Sequence, residues 1–120
     1  MNAQAVYLNA LSEYEAGKYD QASDLFCLLS EELPLQPEVW KGLAACSQVR
    51  KDYPEALMAW SMAAALDNQD PSPHFHAAEC LFAKGEVLEA KKAIRTALSL
   101  PCTEELLNQM IQLKEVIDHG

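Results

Sequence analysis

Three stretches of this 120-residue chain align on one another at a spacing of 34 residues, without a gap. Ala22, Ala56 and Ala90 fall together, with Tyr19, Tyr53 and Val87 three residues before them and Phe26, Trp60 and Ile94 four residues after. Ala10, Ala44 and Ala78 share another position, and Leu29, Ala63 and Ala97 a further one. Residues three and four apart share one face of a helix, so each stretch reads as helical, with small residues where helices meet and large ones filling the space between. A unit repeated at this length cannot bury its apolar face alone, so units stack and their shared side becomes an extended concave surface. Such a surface suits gripping a peptide better than doing chemistry.

A 34-residue period with this pattern is the signature of a tetratricopeptide array. The expected fold is all-α: three tandem helix–turn–helix repeats at 3–36, 37–70 and 71–104, then a capping helix at 104–118, within a single domain spanning 1–120. Local punctuation agrees. Gly17 and Gly85 stand at mid-repeat turns, where a left-handed residue ends a helix. Repeat two has Lys51 there, followed by Pro54 at the expected first position of its second helix. Pro34 and Pro37 flank one boundary between repeats. At the next, Ser72 is the expected N-cap with Pro73 at the first helical position. Thr103 caps the last helix, with Glu104 and Glu105 in its first turn. There Leu106, Met110, Leu113 and Ile117 share one face, and the outer side is expected to be polar. The first helix opens almost at once, so its outer side is expected to be uncovered or paired with a second copy.

Nine basic against eighteen acidic residues give a net charge of −9. That disfavours nucleic acid, which needs clustered Lys and Arg, and suits an apolar or basic partner. No apolar run approaches the roughly 18 residues a membrane span needs, and Met1 to Tyr7 lack the pattern of a secretory leader. Cysteines stand at 27, 46, 80 and 102 with no C-x-x-C pair. Cys46 and Cys80 share a repeat position, and stacked equivalent helices lie about 8–10 Å apart, too far for a relaxed disulfide. Four reduced, mostly buried thiols are expected.

In a stack of this kind the first helix of each repeat lines the concave side. Tyr7, Leu11 and Tyr14 then form one stripe at i, i+4, i+7 spacing. Lys41, Ala45 and Gln48 follow on the second repeat, with small Ala45 as a floor. Phe75 and Phe82 form a second aromatic stripe with Glu79 between them and His76 at the groove edge. Two aromatic walls around a floor with pockets would take an extended peptide with spaced apolar or proline anchors. A carboxylate clamp is not expected, because Tyr7 and Leu11 stand where it needs a basic residue and an amide. His76 and Cys80 are i, i+4 on one helix, but no second ligand pair completes a metal site. No phosphate loop or nucleophile–base arrangement is present, so neither a cofactor nor an enzyme activity is expected.

The segment Pro73-His74-Phe75-His76-Ala77-Ala78-Glu79-Cys80, with Lys84-Gly85-Glu86 and Glu89-Ala90 after it, resembles the third repeat of the class II chaperones of bacterial type III secretion, the SycD/LcrH-like group. Gly17-Lys18-Tyr19-Asp20-Gln21-Ala22 with Phe26 is similar to their first repeat, and Gly42-Leu43-Ala44-Ala45-Cys46 to their second. The resemblance implies a chaperone in the bacterial cytosol. It would bind hydrophobic translocator proteins, keep them soluble and secretion-competent, and hold an extended P-x-L-x-x-P-like segment in the concave groove. Tyr7, Leu11 and Tyr14 match the pocket-forming stripe. Two departures stand out. The helical segment that family members place before the first repeat, often used in dimerisation, is not seen ahead of Ala3, which leaves a homodimer open. Ala44 stands where a glycine is common. The alternative is a repeat scaffold or adaptor that prefers a folded partner to an extended segment.

Overall fold

The computed structural model describes residues 2–120, so Met1 of the expected domain lies outside the described residues. Among the described residues seven helices follow one another: α1 (Ala3–Glu15), α2 (Tyr19–Glu32), α3 (Pro37–Val49), α4 (Tyr53–Leu66), α5 (Ser72–Ala83), α6 (Val87–Leu98) and α7 (Glu104–His119). Each packs on its neighbours in sequence, and the stack measures 46 × 26 × 22 Å.

The turn inside each helix pair is the same structure made three times. Gly17, Lys51 and Gly85 take φ of 77°, 63° and 81°. In each, the left-handed residue donates to the carbonyl three residues back, and the next residue donates to the one five back: Lys18 to Glu13, Asp52 to Ser47 and Glu86 to Leu81, all at 2.9 Å. This double bond closes the helix carbonyls that would otherwise be unpaired. Lys51 does with a Cβ what glycine does without one, and the left-handed conformation costs an L-residue about 1 kcal/mol.

Helix starts differ slightly from expectation. α4 begins at Tyr53, with Asp52 as N-cap accepting from the Glu55 amide at 3.3 Å, and Pro54 is its second residue. α5 begins at Ser72 itself. Its N-cap is Pro71, which makes no side-chain cap bond, and one residue earlier Asp70 Oδ1 accepts from the Ser72 amide at 2.9 Å while its Oδ2 is held by Lys41 at 2.8 Å. Ser72 is thus the first helical residue and not the cap. On α7, Thr103 Oγ1 accepts from the Leu106 amide at 3.2 Å as expected, and the helix runs one residue further, to His119.

The repeat positions become layers of the core. Ala10, Ala44, Ala78, Ala22, Ala56 and Ala90 are all fully buried. Phe26, Trp60 and Ile94 plug the space between the helices they join, with exposures of 1%, 4% and 1%. One cluster spans α1 to α4 and reaches Cys80, and a second joins α5, α6 and α7 through Met110 and Ile117. The outer side of α1 leaves Leu8 exposed. Arg50 ties the first two pairs from outside, with Nε 2.8 Å from Asp20 Oδ1 and Nη1 donating to Ser23 Oγ at 3.3 Å.

All four thiols are free, but only Cys46 and Cys80 are buried. Cys27 and Cys102 are exposed, against expectation. Cys27 follows Phe26 on α2, and one residue turns a helix by about 100°, away from the core. Cys102 lies in the segment before α7, outside any helix.

Candidate functional site

The odd-numbered helices line a groove that runs as a chain of cavities sharing walls. The first, about 290 Å³, lies between the starts of α1 and α3 and is lined by Ala3, Gln4, Tyr7 and Val39 with Leu33, Gln36 and Glu38. Tyr7 and Glu38 also line the second, about 260 Å³, with Leu11, Tyr14, Phe26, Lys41, Gly42 and Ala45. Tyr14 and Ala45 pass on to the third, about 270 Å³, with Gln48, Val49, Trp60, His76 and Glu79. Phe75, His76 and Glu79 continue to the fourth, about 420 Å³, closed by Gln109, Gln112, Leu113 and Val116 of α7.

The second cavity is apolar with a charged rim. Tyr7, Leu11 and Tyr14 are half-buried along one face of α1. Tyr7 meets Phe26 edge to face at 6.1 Å, and Tyr14 meets Tyr19 likewise at 5.3 Å. Burial, with Tyr19 and Cys46 nearby, pushes the Tyr14 phenol above its ordinary value, so it stands in the groove as a neutral hydroxyl. Lys41 is on the rim, but its ammonium is spent on Asp70 rather than left free. Burial works to raise the Asp70 carboxyl, yet the Lys41 and Ser72 hydrogen bonds bring it below the usual range.

The third cavity holds a closed polar circuit. Trp60 Nε1 donates to Gln48 Oε1 at 3.0 Å, and Gln48 Nε2 donates to Glu79 Oε1 at 3.1 Å. His76 Nδ1 lies 2.6 Å from the same oxygen, and its ring stacks back on Trp60 at 4.7 Å with 21° between planes. Orientation follows from valence. The indole can only donate and an ionised carboxylate can only accept, so the Gln48 amide has one possible setting and His76 carries its proton on Nδ1. Burial by itself would raise the Glu79 carboxyl, but the bonds from His76 and Gln48, with the His76 charge, lower it on balance. Among the described residues, Glu79 Oε2 takes no hydrogen bond, and the side chain lines the third and fourth cavities.

Of the residues expected to bind, Tyr7, Leu11, Tyr14, Lys41 and Ala45 come together at the second cavity, and Gln48, His76 and Glu79 at the third. The second aromatic stripe is drawn into the packing beneath α7, with Phe75 still lining the fourth cavity. Phe75 is 7% exposed and belongs to the core of α5, α6 and α7, showing only an edge to the fourth cavity. Phe82 lines none of these cavities and packs with the same cluster, where a Cβ on Gly120 would lie 2.7 Å from its ring. The presence of α7 explains both, because it covers the side of α5 that these rings face. Sequence reasoning missed Phe26, Gly42 and Trp60, and it did not place α7 in the groove, where Gln109 and Gln112 line the fourth cavity; the polar outer side expected of α7 instead leaves Leu107, Ile111 and Val116 exposed. The signal for Phe26 and Trp60 was their size: rings on the second helices reach between the first helices into the groove.

Burial pushes the Cys46 thiol up to about 11 and the Cys80 thiol up to about 12, so both stay protonated near neutral pH. No group of three or more His, Cys, Asp or Glu placed to hold a metal occurs among the described residues, and no described helix is long and apolar enough to cross a membrane.

No family model matches the chain. Individual relatives do. Low calcium response locus protein H of Yersinia pseudotuberculosis is 33% identical over 118 residues, covering 95% of this chain and 70% of that protein. The Yersinia pestis protein of the same name is also 33% identical, over 94% of this chain, which spans 64% of its length. The Yersinia enterocolitica type III secretion chaperone SycD, solved with a peptide of the translocator YopD, superposes with a TM-score of 0.91 at 32% identity, covering 96% of this chain and 91% of that one. PcrH, solved with the chaperone binding region of PopD, gives 0.91 at 28% identity, covering 97% and 90%. With the stacked helices, the groove and the family's repeat motifs in one chain, these likenesses place it: the chain belongs to the family of type III secretion translocator chaperones.

Proposed function

We propose that the chain is a cytosolic chaperone of bacterial type III secretion. It holds an extended segment of a hydrophobic translocator protein in the groove of α1, α3, α5 and α7, and so keeps that protein soluble and ready for export. One observation carries this reading. An apolar cavity lined by Tyr7, Leu11 and Tyr14 is continuous, through Tyr14 and Ala45, with a second cavity where the polar groups of Gln48 and Glu79 face the groove. A side chain such as Leu or Pro fills the first. In the second, Glu79 Oε2 accepts an amide of the segment's backbone, since extended chain has unpaired N–H groups every other residue. The solved relatives support the reading: SycD holds a peptide of YopD, and PcrH the chaperone binding regions of PopD and PopB.

Binding without catalysis is the corresponding reading of the side chains. The buried thiols are protonated, and the carboxylate nearest a base, Glu79, is engaged in holding the groove together. Titration calorimetry tests the proposal. A translocator-type peptide with spaced Pro and Leu anchors is expected to bind saturably at micromolar concentrations, and a copy with those anchors changed to Ala is expected to lose it, because burying a Leu-sized side chain gives roughly 1.5–3 kcal/mol. Failure of both peptides, together with failure of full-length translocator to copurify, would favour a scaffold that binds folded partners.

A further inference from the structure

Gly42 stands in the middle of α3, where glycine weakens a helix relative to alanine. The surroundings explain its presence. A Cβ at this position would lie 2.3, 2.5 and 2.7 Å from Cε1, Cζ and Cδ1 of Phe26. The Phe26 ring therefore lies in the space that a side chain would need, tucked beneath α3 and 1% exposed, at the floor of the apolar cavity. Among the residues around it, Ala10, Ala22 and Leu43 belong to the same buried cluster, while Tyr7 meets the ring edge to face at 6.1 Å from the cavity wall. The free volume beside a ring driven off Gly42 is the cavity that the ring lines.

The next repeat provides the contrast. Adding 34 to each number turns the pair Phe26 and Gly42 into Trp60 and His76. Here the first-helix residue carries a ring, which covers the indole face to face at 4.7 Å, and the cavity beside them has Gln48 and Glu79 in its lining. The same two positions thus make an apolar recess where one is glycine and a covered, hydrogen-bonded floor where it is histidine.

We propose that Gly42 sets the depth of the apolar cavity by letting Phe26 lie beneath α3, and that this pair selects a branched aliphatic anchor of leucine size. The inference rests on the groove being the peptide site. The experiment compares two extended peptides, identical except that one central anchor is Leu or Ala, by calorimetry on the full chain. Gly42→Ala is expected to weaken the Leu peptide about tenfold or more and the Ala peptide by about twofold at most. The double variant Gly42→Ala with Phe26→Leu is expected to recover most of the Leu affinity, because the smaller side chain fits under the new methyl. Thermal melting and circular dichroism confirm that each variant is folded. If Gly42→Ala does not fold, Phe26→Trp serves instead, enlarging the ring under an unchanged glycine, with the same selective loss expected. Equal losses for both peptides, no loss, or a folded double variant that recovers nothing would overturn the gate. Binding of neither peptide by the unaltered chain would overturn the groove reading and the gate with it.

Discussion

The second and third cavities, the two ends of the groove's central stretch, are made from the same repeat positions and do opposite things. Between α1 and α3, Phe26 and Gly42 leave an apolar recess bounded by Tyr7, Leu11 and Tyr14. One repeat later, Trp60 and His76 close against each other, and Gln48 and Glu79 complete a circuit of hydrogen bonds. The first end discriminates by shape, because apolar contact has no preferred direction and only volume is selective. The second discriminates by direction, because each donor and acceptor there has one valid orientation. On the proposed function, an extended segment laid across both would have its side chain read at one end and its backbone at the other.

The largest expected effect falls at the edge of this comparison. Phe75→Ala should cost about 3–5 kcal/mol of folding stability, as a large ring is removed from a buried cluster. Denaturant unfolding measures it. A near-normal midpoint with weakened peptide binding would instead return Phe75 to the groove wall. Tyr7→Ala is the counterpart at the apolar end. Tyr7 is only half-buried, so helix content should hold while peptide affinity falls by about 1.5–3 kcal/mol, seen by calorimetry. Loss of helicity in Tyr7→Ala would make the recess a part of the core.

At the directional end, Trp60→Phe keeps a ring but removes the indole N–H, leaving Gln48 Oε1 without its donor. About 1–2 kcal/mol of stability should go, and affinity for a peptide spanning both cavities should fall with it. A peptide confined to the apolar recess should bind as before. Equal loss for both peptides would mean that the two ends are not independent.

The sequence made the helices and core layers legible, because they recur. Ala10, Ala44 and Ala78 fall at one position and are all buried, and the period alone identifies them. The site was legible where it sits on first helices and points straight into the groove, as Tyr7, Leu11, Tyr14, Gln48 and Glu79 do. It was not legible where a third body decides exposure. Phe75 and Phe82 look like a wall until α7 covers them, and no periodicity within a repeat reports what the last helix does. Nor does a repeat pattern tell that Phe26 lies under Gly42, since that contact joins the second helix of one unit to the first helix of the next.

Lys51 tests the turn that precedes the Trp60 helix, against its glycine counterparts at 17 and 85. Lys51→Gly removes the strain of a left-handed residue with a side chain, and about 0.5–1 kcal/mol of added stability is expected, measured as a higher unfolding midpoint. The gain should not change the affinity of either peptide, because Lys51 lines no part of the groove cavities. A change in peptide affinity would tie the turn to the placement of Gln48, three residues earlier.

Acid provides the finest probe of the directional end. Glu79 has a native carboxyl below its unfolded value, through His76 and Gln48, against the opposing pull of burial. A carboxyl lowered on folding adds stability that is fully present above its unfolded pKa and is lost as pH falls through the native one. At pH 7 the unaltered chain should therefore unfold at a higher temperature than Glu79→Gln, by a small margin, since the side chain is 36% exposed and water screens the charge. The margin should shrink once pH drops below 4.5, the ordinary value for Glu79, and vanish below its native pKa. A margin that stays constant down to strong acid would mean that Glu79 acts through shape and neutral hydrogen bonds, and the contrast between a shape-reading end and a charge-ordered end would narrow to one of packing alone.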